Sequence, residues 1–354
     1  MAHAEHDDRE RLIDAVGEAH SHGRTLAIVG SGSKSFLLPE LEDAGASLLS
    51  VAEHAGVIEY RPDELVITAR AGTPLRELQQ LVARNQQMLP FEPPMFVGGG
   101  TLGGAVACGL SGPGRPWWGS VRDSVLGVEL INGLGEALSF GGQVMKNVAG
   151  YDLSRLQAGA FGTLGVILSV SIKLLPRPPA ERTCTLAMWA AESVRCVRAF
   201  ARQPLPLSAT CFDGRFLRIR CSGAEAAVLS ACEVIGGEVS ERDSYWSHLR
   251  DHDLPELRFG DEPWRVSLPP AADVLVDNAV IEWAGALRWV AGASADVAGI
   301  AERAGGTAVR LAAGFGQVSG AATPGSLRLY QQRLKASFDP DNLFNPGLVD
   351  EHAD

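Results

Sequence analysis

The stretch GGGTLGGAVACGLSGPGRPWWGSVRD (98–123), followed by KNVAGYDLSRLQAGAFGTLGVI (146–167), carries the strongest structural signal in this chain of 354 residues. Eighteen of its forty glycines fall between Gly98 and Gly165, well above an average usage of about 7%. Interleaved Val, Leu, Ile and Ala predict folded backbone. Glycine lets a backbone approach a ligand closely, and short glycine turns can direct several N–H groups at one anion. The stretch therefore predicts a wall around a large phosphate-bearing cofactor.

Length and composition are typical of a soluble protein with two domains. The chain is 46% hydrophobic and 21% charged, with a net charge of −11. This acidic balance argues against nucleic-acid binding, which requires a basic face. The polar N-terminus MAHAEHDDRERL predicts no signal peptide, and the uncharged run 156–172 is predicted to be a turn and a strand. We therefore expect a cytoplasmic protein with no transmembrane segment.

Hydrophobic periodicity divides the first half of the chain into short elements. It predicts a helix at 8–21 that Gly23 ends, strands at 25–29, 56–60, 64–70 and 166–175, and a helix that begins at Thr73-Pro74. Thr73 is predicted to be the N-cap of that helix and Pro74 its first residue. In the strand 166–175, alternate positions are apolar, and most positions between them are polar.

A proline cluster at 176–179 marks a domain boundary. Beyond it, strands alternate with helices, including helices at 191–203 and 224–235, which predicts a smaller α+β domain of two halves over an antiparallel sheet. The chain ends in a basic amphipathic helix. We expect a first domain at 1–177 that contains the glycine-rich wall, an α+β cap at 178–323, and a tail at 324–354 that packs back on the first domain.

The turn GSGSKS (30–35) follows a strand but departs from both common phosphate motifs. Ser35 stands at the third glycine of a Rossmann fingerprint, and Pro39 falls where its helix would run. A P-loop is excluded because Gly32 and Lys34 are not adjacent. Consecutive N–H groups, hydroxyls and a lysine are compatible with a pyrophosphate nest, but also with a plain turn.

Histidine and cysteine patterns argue against a metal site. Residues 55–247 contain no histidine, so the glycine-rich wall offers no imidazole as a base or covalent flavin anchor. His248 and His252 have the i, i+4 spacing of a helical metal pair, but surface histidines are the commoner interpretation. The six cysteines form no C-x-x-C motif, which predicts reduced, buried thiols and no iron–sulfur site.

Other side chains within the wall have open roles. Arg122, Asp123 and Asp152 could contact the cofactor or cap local structure. The Trp117-Trp118 pair could line a substrate pocket, form a subunit interface, or simply be buried.

Taken together, six motifs resemble the FAD-binding domain of the vanillyl-alcohol-oxidase/p-cresol-methylhydroxylase (PCMH) type. They occur in the order that the family shows: GSGSKS (30–35), GGTLGG (99–104), SGPGRPWWGSVRD (111–123), KNVAGYDLSRL (146–156), GTLGVI (162–167) and FDPDNLFNPG (338–347). Within the family, the short length and the terminal motif resemble the E-type FAD-binding subunits of bacterial glycolate oxidases.

This resemblance implies noncovalent FAD between two α+β subdomains, and a separate cap. It implies that the loop from Ser31 to Ser35, with Thr101, Gly103 and Gly104, holds the pyrophosphate, that the 162–167 segment runs along the cofactor, and that Asn345 approaches the flavin. The full set of predicted cofactor-binding residues is Ser31, Gly32, Ser33, Lys34, Ser35, Gly100, Thr101, Gly103, Gly104, Ser111, Gly112, Gly119, Ser120, Arg122, Asp123, Gly162, Thr163, Gly165, Val166, Ile167 and Asn345.

The resemblance also implies oxidation of glycolate to glyoxylate by an assembly with a longer, D-type FAD-binding subunit and an iron–sulfur subunit. Such an assembly could lie peripherally at the inner membrane through its partners. Phe161 stands where catalytic relatives carry a glutamate, and the histidine-rich cap motif of those relatives is missing. We therefore assign no catalytic residue. The alternatives are a self-sufficient 2-hydroxy-acid dehydrogenase, with an arginine such as Arg115 on the carboxylate, and a non-catalytic assembly subunit.

Overall fold

The computed structural model describes residues 6–34, 45–96, 98–142, 152–257, 263–273, 279–291, 296–310 and 325–348. The chain divides into two compact units. The first consists of Met1–Leu110, Ser120–Arg177 and Thr323–Asp354, and the second of Ser111–Gly119 and Pro178–Ala322. The short stretch Ser111–Gly119 therefore belongs to the second unit, although it lies within the first in sequence.

The elements of the described residues follow one another in short segments. The helices are α1 (Arg9–His22), α2 (Leu75–Ala83), α3 (Leu102–Cys108), α4 (Arg115–Trp118), α5 (Val121–Ser124), α6 (Ala190–Phe200), α7 (Glu225–Ile235), α8 (Tyr245–Arg250), α9 (Val297–Arg303) and α10 (Gly325–Phe338). The strands are β1 (Leu26–Val29), β2 (Ser47–Ser50), β3 (Val57–Arg61), β4 (Val66–Arg70), β5 (Gln87–Met88), β6 (Val125–Ile131), β7 (Ala137–Gly141), β8 (Val166–Lys173), β9 (Leu175–Pro176), β10 (Ala180–Ala187), β11 (Leu207–Phe212), β12 (Phe216–Gly223), β13 (Glu238–Glu241), β14 (Trp264–Ser267), β15 (Val280–Glu282), β16 (Leu287–Val290) and β17 (Thr307–Arg310).

The first unit contains a five-stranded antiparallel sheet in the order β3-β4-β8-β6-β7. Its third strand, β8, matches the predicted strand, but the polar Ser169 and Ser171 are buried as well as the apolar positions. Those positions are satisfied internally: the hydroxyl groups of Thr68 and Ser171 are 2.8 Å apart across the β4–β8 pair. Both faces of this strand are therefore covered, which the alternating sequence did not indicate.

A second apolar cluster of this unit joins the two ends of the chain. It contains Leu12 and Val16 of α1, Leu26 of β1, and the C-terminal Leu343 and Phe344. The segment containing Leu343 also bonds to β1, because the Leu26 N–H donates to the Leu343 carbonyl at 2.7 Å. Leu343 and Phe344 are therefore packed with α1 and β1.

The predicted start of α2 is wrong by one residue. Pro74 is the N-cap, and no side chain caps the helix. The Thr73 hydroxyl instead accepts from the Gly56 N–H at 3.0 Å and donates to the Gly56 carbonyl at 3.1 Å. The hydroxyl therefore fixes Gly56, the residue directly before β3.

The second unit is an α+β layer built on an eight-stranded sheet in the order β13-β10-β12-β11-β15-β16-β14-β17. Every described pair in it is antiparallel. Helices α6, α7 and α9 contribute side chains such as Val197, Val228 and Ala301 to one apolar core with the strands. Within the residues described for both units, no helix is long and apolar enough to span a membrane.

Candidate cofactor-binding site

A cavity lies in the first unit and encloses about 720 Å³ of space, open solvent included. Segments that are distant in sequence line it: the end of β1 and the loop after it, α3, the start of β8, and the C-terminal turn. The lining residues are Ile28, Val29, Gly30, Ser31, Gly32, Ser33, Lys34, Val51, Ala71, Thr101, Gly103, Gly104, Ala107, Cys108, Phe161, Gly162, Gly165, Ile167 and Asn345.

The loop after β1 supplies the charge of the cavity. The Lys34 side chain is only 7% exposed, and its Nζ lies 3.4 Å from the Ser33 hydroxyl and 5.6 Å from the centre of the Phe96 ring. A Cβ at Gly100 would lie 2.9 Å from that Nζ. The loop therefore places a buried cation at the cavity wall, and Gly100 leaves space for it.

Gly30, directly after β1, and the glycines of α3 also line the cavity. The Thr101 hydroxyl caps α3 by accepting from the Gly104 N–H at 3.2 Å. A Cβ on Gly30 would lie 2.5 Å from that hydroxyl oxygen, and one on Gly103 would lie 2.6 Å from the Ala71 Cβ. The space for a side chain at Gly103 is thus closed by protein packing rather than by the cavity.

Asn345 fastens the C-terminal turn to two walls of the cavity. Its Oδ1 accepts from the Ile28 N–H at 2.8 Å, and its Nδ2 donates to the Phe161 carbonyl at 2.5 Å. Gly162 has φ +72°, and a Cβ there would lie 2.9 Å from Asn345 Nδ2. This clamp requires glycine at position 162 on two independent grounds.

A buried ion pair stabilises the C-terminal turn that carries Asn345. Lys335 Nζ donates to Asp339 Oδ2 at 2.5 Å and to the carbonyls of Thr163 and Phe344 at 2.8 and 3.2 Å. The Asp339 carboxylate also accepts the N–H groups of Leu343 and Phe344. Helix α10, the loop before β8 and the C-terminal turn are thereby joined.

The ionisable side chains among the described lining residues are Lys34 and Cys108. Burial raises the pKa of the Cys108 thiol to about 11, although the nearby Lys34 charge acts in the opposite direction. The thiol is therefore protonated near neutral pH. Sequence reasoning assigned Cys108 to packing and did not place it on the cavity wall.

These features fit FAD. The cofactor needs a long, largely apolar cavity with a few polar anchors and close backbone approach at its diphosphate. The walls supply Lys34 and the serine hydroxyls at one place, and apolar side chains such as Ile28 and Ile167 elsewhere.

The structure brings together one group of the predicted site residues. Those that line the cavity are Ser31, Gly32, Ser33, Lys34, Thr101, Gly103, Gly104, Gly162, Gly165, Ile167 and Asn345. The sequence patterns missed the apolar positions Ile28, Val51, Ala71 and Ala107 because only tertiary contact distinguishes them from ordinary core residues.

The other predicted residues have different placements. Gly100 leaves the space that Lys34 occupies, while Thr163 donates its hydroxyl to the Ala160 carbonyl and Val166 lies in an apolar core. Ser120 and Asp123 form a capping box on α5, and Arg122 is exposed on the same helix. Ser111, Gly112 and Gly119 belong to the second unit, and Ser35 lies outside the described residues. Their roles as cofactor ligands stay predictions.

The paired histidines do not share a helix face. His248 lies on α8, where its Nδ1 is 3.3 Å from Asp253 Oδ2, whereas His252 follows the end of that helix and packs on Trp289. The metal interpretation of their spacing is therefore wrong. Within the described ranges, no group of three potential metal ligands occurs. Asp152 accepts from the Ser154 hydroxyl at 2.8 Å, a local structural role.

Replacing Lys34 by Gln should weaken FAD binding by about 10- to 100-fold, because a buried charge-assisted contact to a diphosphate would be lost. The measurement is the dissociation constant from flavin fluorescence titration of the apoprotein. Lys173→Gln, at the end of β8, is the control and should bind like the parent. Equal affinities of the two variants would contradict the placement of the diphosphate at this loop.

Comparison with known proteins defines the class first. Residues 2–141 match the family model described as FAD binding domain. The solved structure of an alkyldihydroxyacetonephosphate synthase shares the fold, with a TM-score of 0.67 and 16% identity over 95% of this chain and 75% of that chain. The protein is thus an FAD-binding protein with the PCMH-type α+β fold, and both the fold class and the cofactor are confirmed.

Sequence relatives define the family. The glycolate oxidase subunit GlcE of Escherichia coli strain K12 is 44% identical over 347 residues, which are 97% of each chain. The chain belongs to the GlcE family of glycolate oxidase subunits. The glycolate oxidase subunit GlcD of Bacillus subtilis is 31% identical over 178 residues, 50% of this chain and 37% of GlcD. A D-lactate dehydrogenase of Archaeoglobus fulgidus is 28% identical over 54% of this chain and 42% of that enzyme.

Proposed function

We propose that this chain is the FAD-binding subunit of a multi-subunit oxidoreductase that converts glycolate to glyoxylate. The observation that carries this proposal is the 44% identity to GlcE over 97% of both chains. A shared domain alone would leave the substrate open, but here the similarity also includes the second unit.

We propose that different segments of the cavity wall hold different parts of the cofactor. We assign the diphosphate to Lys34, the serines before it and the backbone beside Thr101, and the flavin ring to the side near Gly162 and Asn345. When bound, the flavin supplies the hydride acceptor for oxidation of an α-carbon. The residues of this chain orient it and exclude water from its apolar walls.

The FAD is proposed to be noncovalent. No histidine lines the described cavity, and the protonated Cys108 thiol is a poor nucleophile. Acid precipitation of the yellow protein should therefore release the flavin into the supernatant, as measured by its absorbance. Flavin that stays on the precipitated polypeptide would contradict this assignment.

A partner is proposed to supply the acid–base chemistry. The described cavity presents Lys34 and Cys108 but no carboxylate or imidazole that could take the proton of a substrate hydroxyl group. We propose a D-type FAD-binding subunit for that role and an iron–sulfur subunit for onward electron transfer, with any contact to the inner membrane made through them. Leu327, Leu329 and Tyr330 of α10 are exposed and are candidates for a partner contact.

The decisive experiment compares the flavin-loaded chain alone with the chain plus its D-type and iron–sulfur partners, using glycolate and a dye acceptor. Because a positioned general base contributes about 10²–10⁴-fold in rate, the isolated chain should work at less than about one hundredth of the rate of the complex. Comparable rates would favour the self-sufficient dehydrogenase. A full-rate complex formed with a flavin-free variant of this chain would favour the assembly role.

A further inference from the structure

Two arginines meet on one tryptophan in the second unit. Arg115 begins α4, within the stretch Ser111–Gly119 that belongs to the second unit, and Arg265 lies on β14. Their guanidinium carbons are 4.4 and 5.3 Å from the centre of the Trp283 ring. Stacking on an aromatic face orients a guanidinium while leaving its N–H edge available to an anion.

The tryptophan that both arginines contact is buried and hydrogen-bonded. Trp283 is 5% exposed, and its indole N–H donates to the Gly112 carbonyl at 3.0 Å. Trp283 and Ala284 have φ values of +53° and +55°, a region that costs free energy for residues other than glycine. The Ala284 N–H donates to the Thr210 hydroxyl at 3.0 Å. Backbone strain of this kind concentrates at ligand sites.

Arg265 lies on the face of the sheet away from the apolar core. Its neighbours Trp264 and Val266 belong to that core, so alternation along β14 turns Arg265 to the other face. There it stands beside its cross-strand partner Trp289, whose indole donates to Glu282 at 2.6 Å. The His252 ring packs on Trp289 with 4.6 Å between centroids.

The ionisable groups around Arg265 differ in their charge at pH 7. The Asp251 carboxylate is engaged by Arg250 at 2.6 Å, and burial lowers the pKa of His252 to about 4, which leaves it neutral at pH 7. Burial and the charge of Arg115 lower the pKa of Arg265 to about 10, so it remains protonated at that pH. The charge of Glu282 favours the protonated form of Arg265, and the Glu282 carboxylate also accepts from the Trp289 indole.

Arg265 has little polar compensation within the protein. Its Nη1 donates to the Ser267 hydroxyl at 3.3 Å, and over the described ranges no carboxylate lies within ion-pair distance of it. A buried cation without a carboxylate partner is stabilised by a bound anion. The planar fork of a guanidinium matches a carboxylate in shape.

We propose that Arg115 and Arg265, held on Trp283, form a binding site for the carboxylate of a small organic acid. The choice of a two-carbon 2-hydroxy acid as that ligand rests on the proposed function. The site lies within the second unit, and its residues are separate from those that line the FAD cavity.

The test is isothermal titration calorimetry of the full-length, flavin-loaded chain with glycolate and with oxalate, a two-carbon carboxylate without an oxidisable C–H bond. Arg265→Gln and Arg115→Gln should each weaken oxalate binding by about 10- to 100-fold, and Arg265→Lys by less. Arg303→Gln removes an exposed arginine of the same unit and should bind like the parent. Glycolamide, which has no carboxylate, should not bind to the parent.

The outcomes separate this site from the proposed function. Unchanged oxalate affinity in both glutamine variants, or no oxalate binding by the parent, would overturn the site even if the complex oxidises glycolate. If oxalate binding depends on the two arginines but the complex does not oxidise glycolate, the proposed carboxylate site is supported and the proposed function is overturned. Near-ultraviolet circular dichroism monitors folding, and the exposed position of Arg115 keeps the test valid if Arg265→Gln does not fold.

Discussion

A Gly162→Val variant is expected to purify with less than about one tenth of the flavin of the parent protein. Position 162 has φ +72°, where a β-branched residue is strained by about 1–3 kcal/mol. The new Cβ would also lie 2.9 Å from the Asn345 amide nitrogen, whose bond to the Phe161 carbonyl closes the cavity. Displacement of Asn345 would open the wall at the place where we assign the flavin ring. The ratio of flavin to protein absorbance after gel filtration measures the loss.

Gly23→Val is the matched control for this prediction. Gly23 ends α1 with φ +60°, and a Cβ at this position would have no neighbouring atom within 4 Å, so the variant introduces similar backbone strain without a clash. It should be somewhat less stable but retain its flavin. Full flavin occupancy in a folded Gly162→Val protein would show that this glycine does not shape the site.

An Asp339→Ala variant is expected to lose about 3–5 kcal/mol of unfolding free energy, because removing one partner leaves a buried charge uncompensated. The Asp339 side chain is fully buried, and Lys335 Nζ lies 2.5 Å from it. The N–H groups of Leu343 and Phe344 lose their acceptor at the same time. Denaturant unfolding followed by near-ultraviolet circular dichroism measures the effect, and flavin content should fall because Asn345 follows this segment directly.

Asp341→Ala provides the comparison two residues away. That carboxylate is 56% exposed and lies 3.0 Å from His20, and exposed pairs of this kind contribute at most about 1 kcal/mol. If both variants lost the same small amount of stability, the Lys335–Asp339 pair would not be what fastens the C-terminal segment to the first unit.

Local sequence patterns predicted much of the fold. Gly23 ends α1 in a left-handed conformation, as its position after the amphipathic helix indicated. The strands β3, β4 and β8 lie where alternation or β-branched residues placed them. The pattern failed at Thr73, because a hydroxyl that could cap α2 was bonded to Gly56. Only tertiary contact decides which of two available partners a side chain takes.

The cavity was predictable where glycines mark it and unpredictable where ordinary side chains form it. Glycine enrichment and the turn at 30–35 pointed to Lys34 and its neighbours. Close approach of the backbone to a ligand requires glycine, and glycine can be recognised in the sequence. Residues such as Ile28 and Ala71 carry no such mark, since an apolar side chain facing a ligand is chemically the same as one facing the core.

The sequence by itself determined the α+β fold and the position of the glycine-rich wall, since turns, caps and hydrophobic periodicity are local properties of the chain. The FAD-binding class came from the resemblance of its six ordered motifs to the PCMH-type family. The tertiary structure alone decided which distant segments meet. Asn345 bonds to Phe161, which is 184 positions away in sequence. Arg115 belongs to the second unit, where it lies near Trp283 and Arg265. Such meetings depend on burial and long-range packing of the whole chain, which no local pattern encodes.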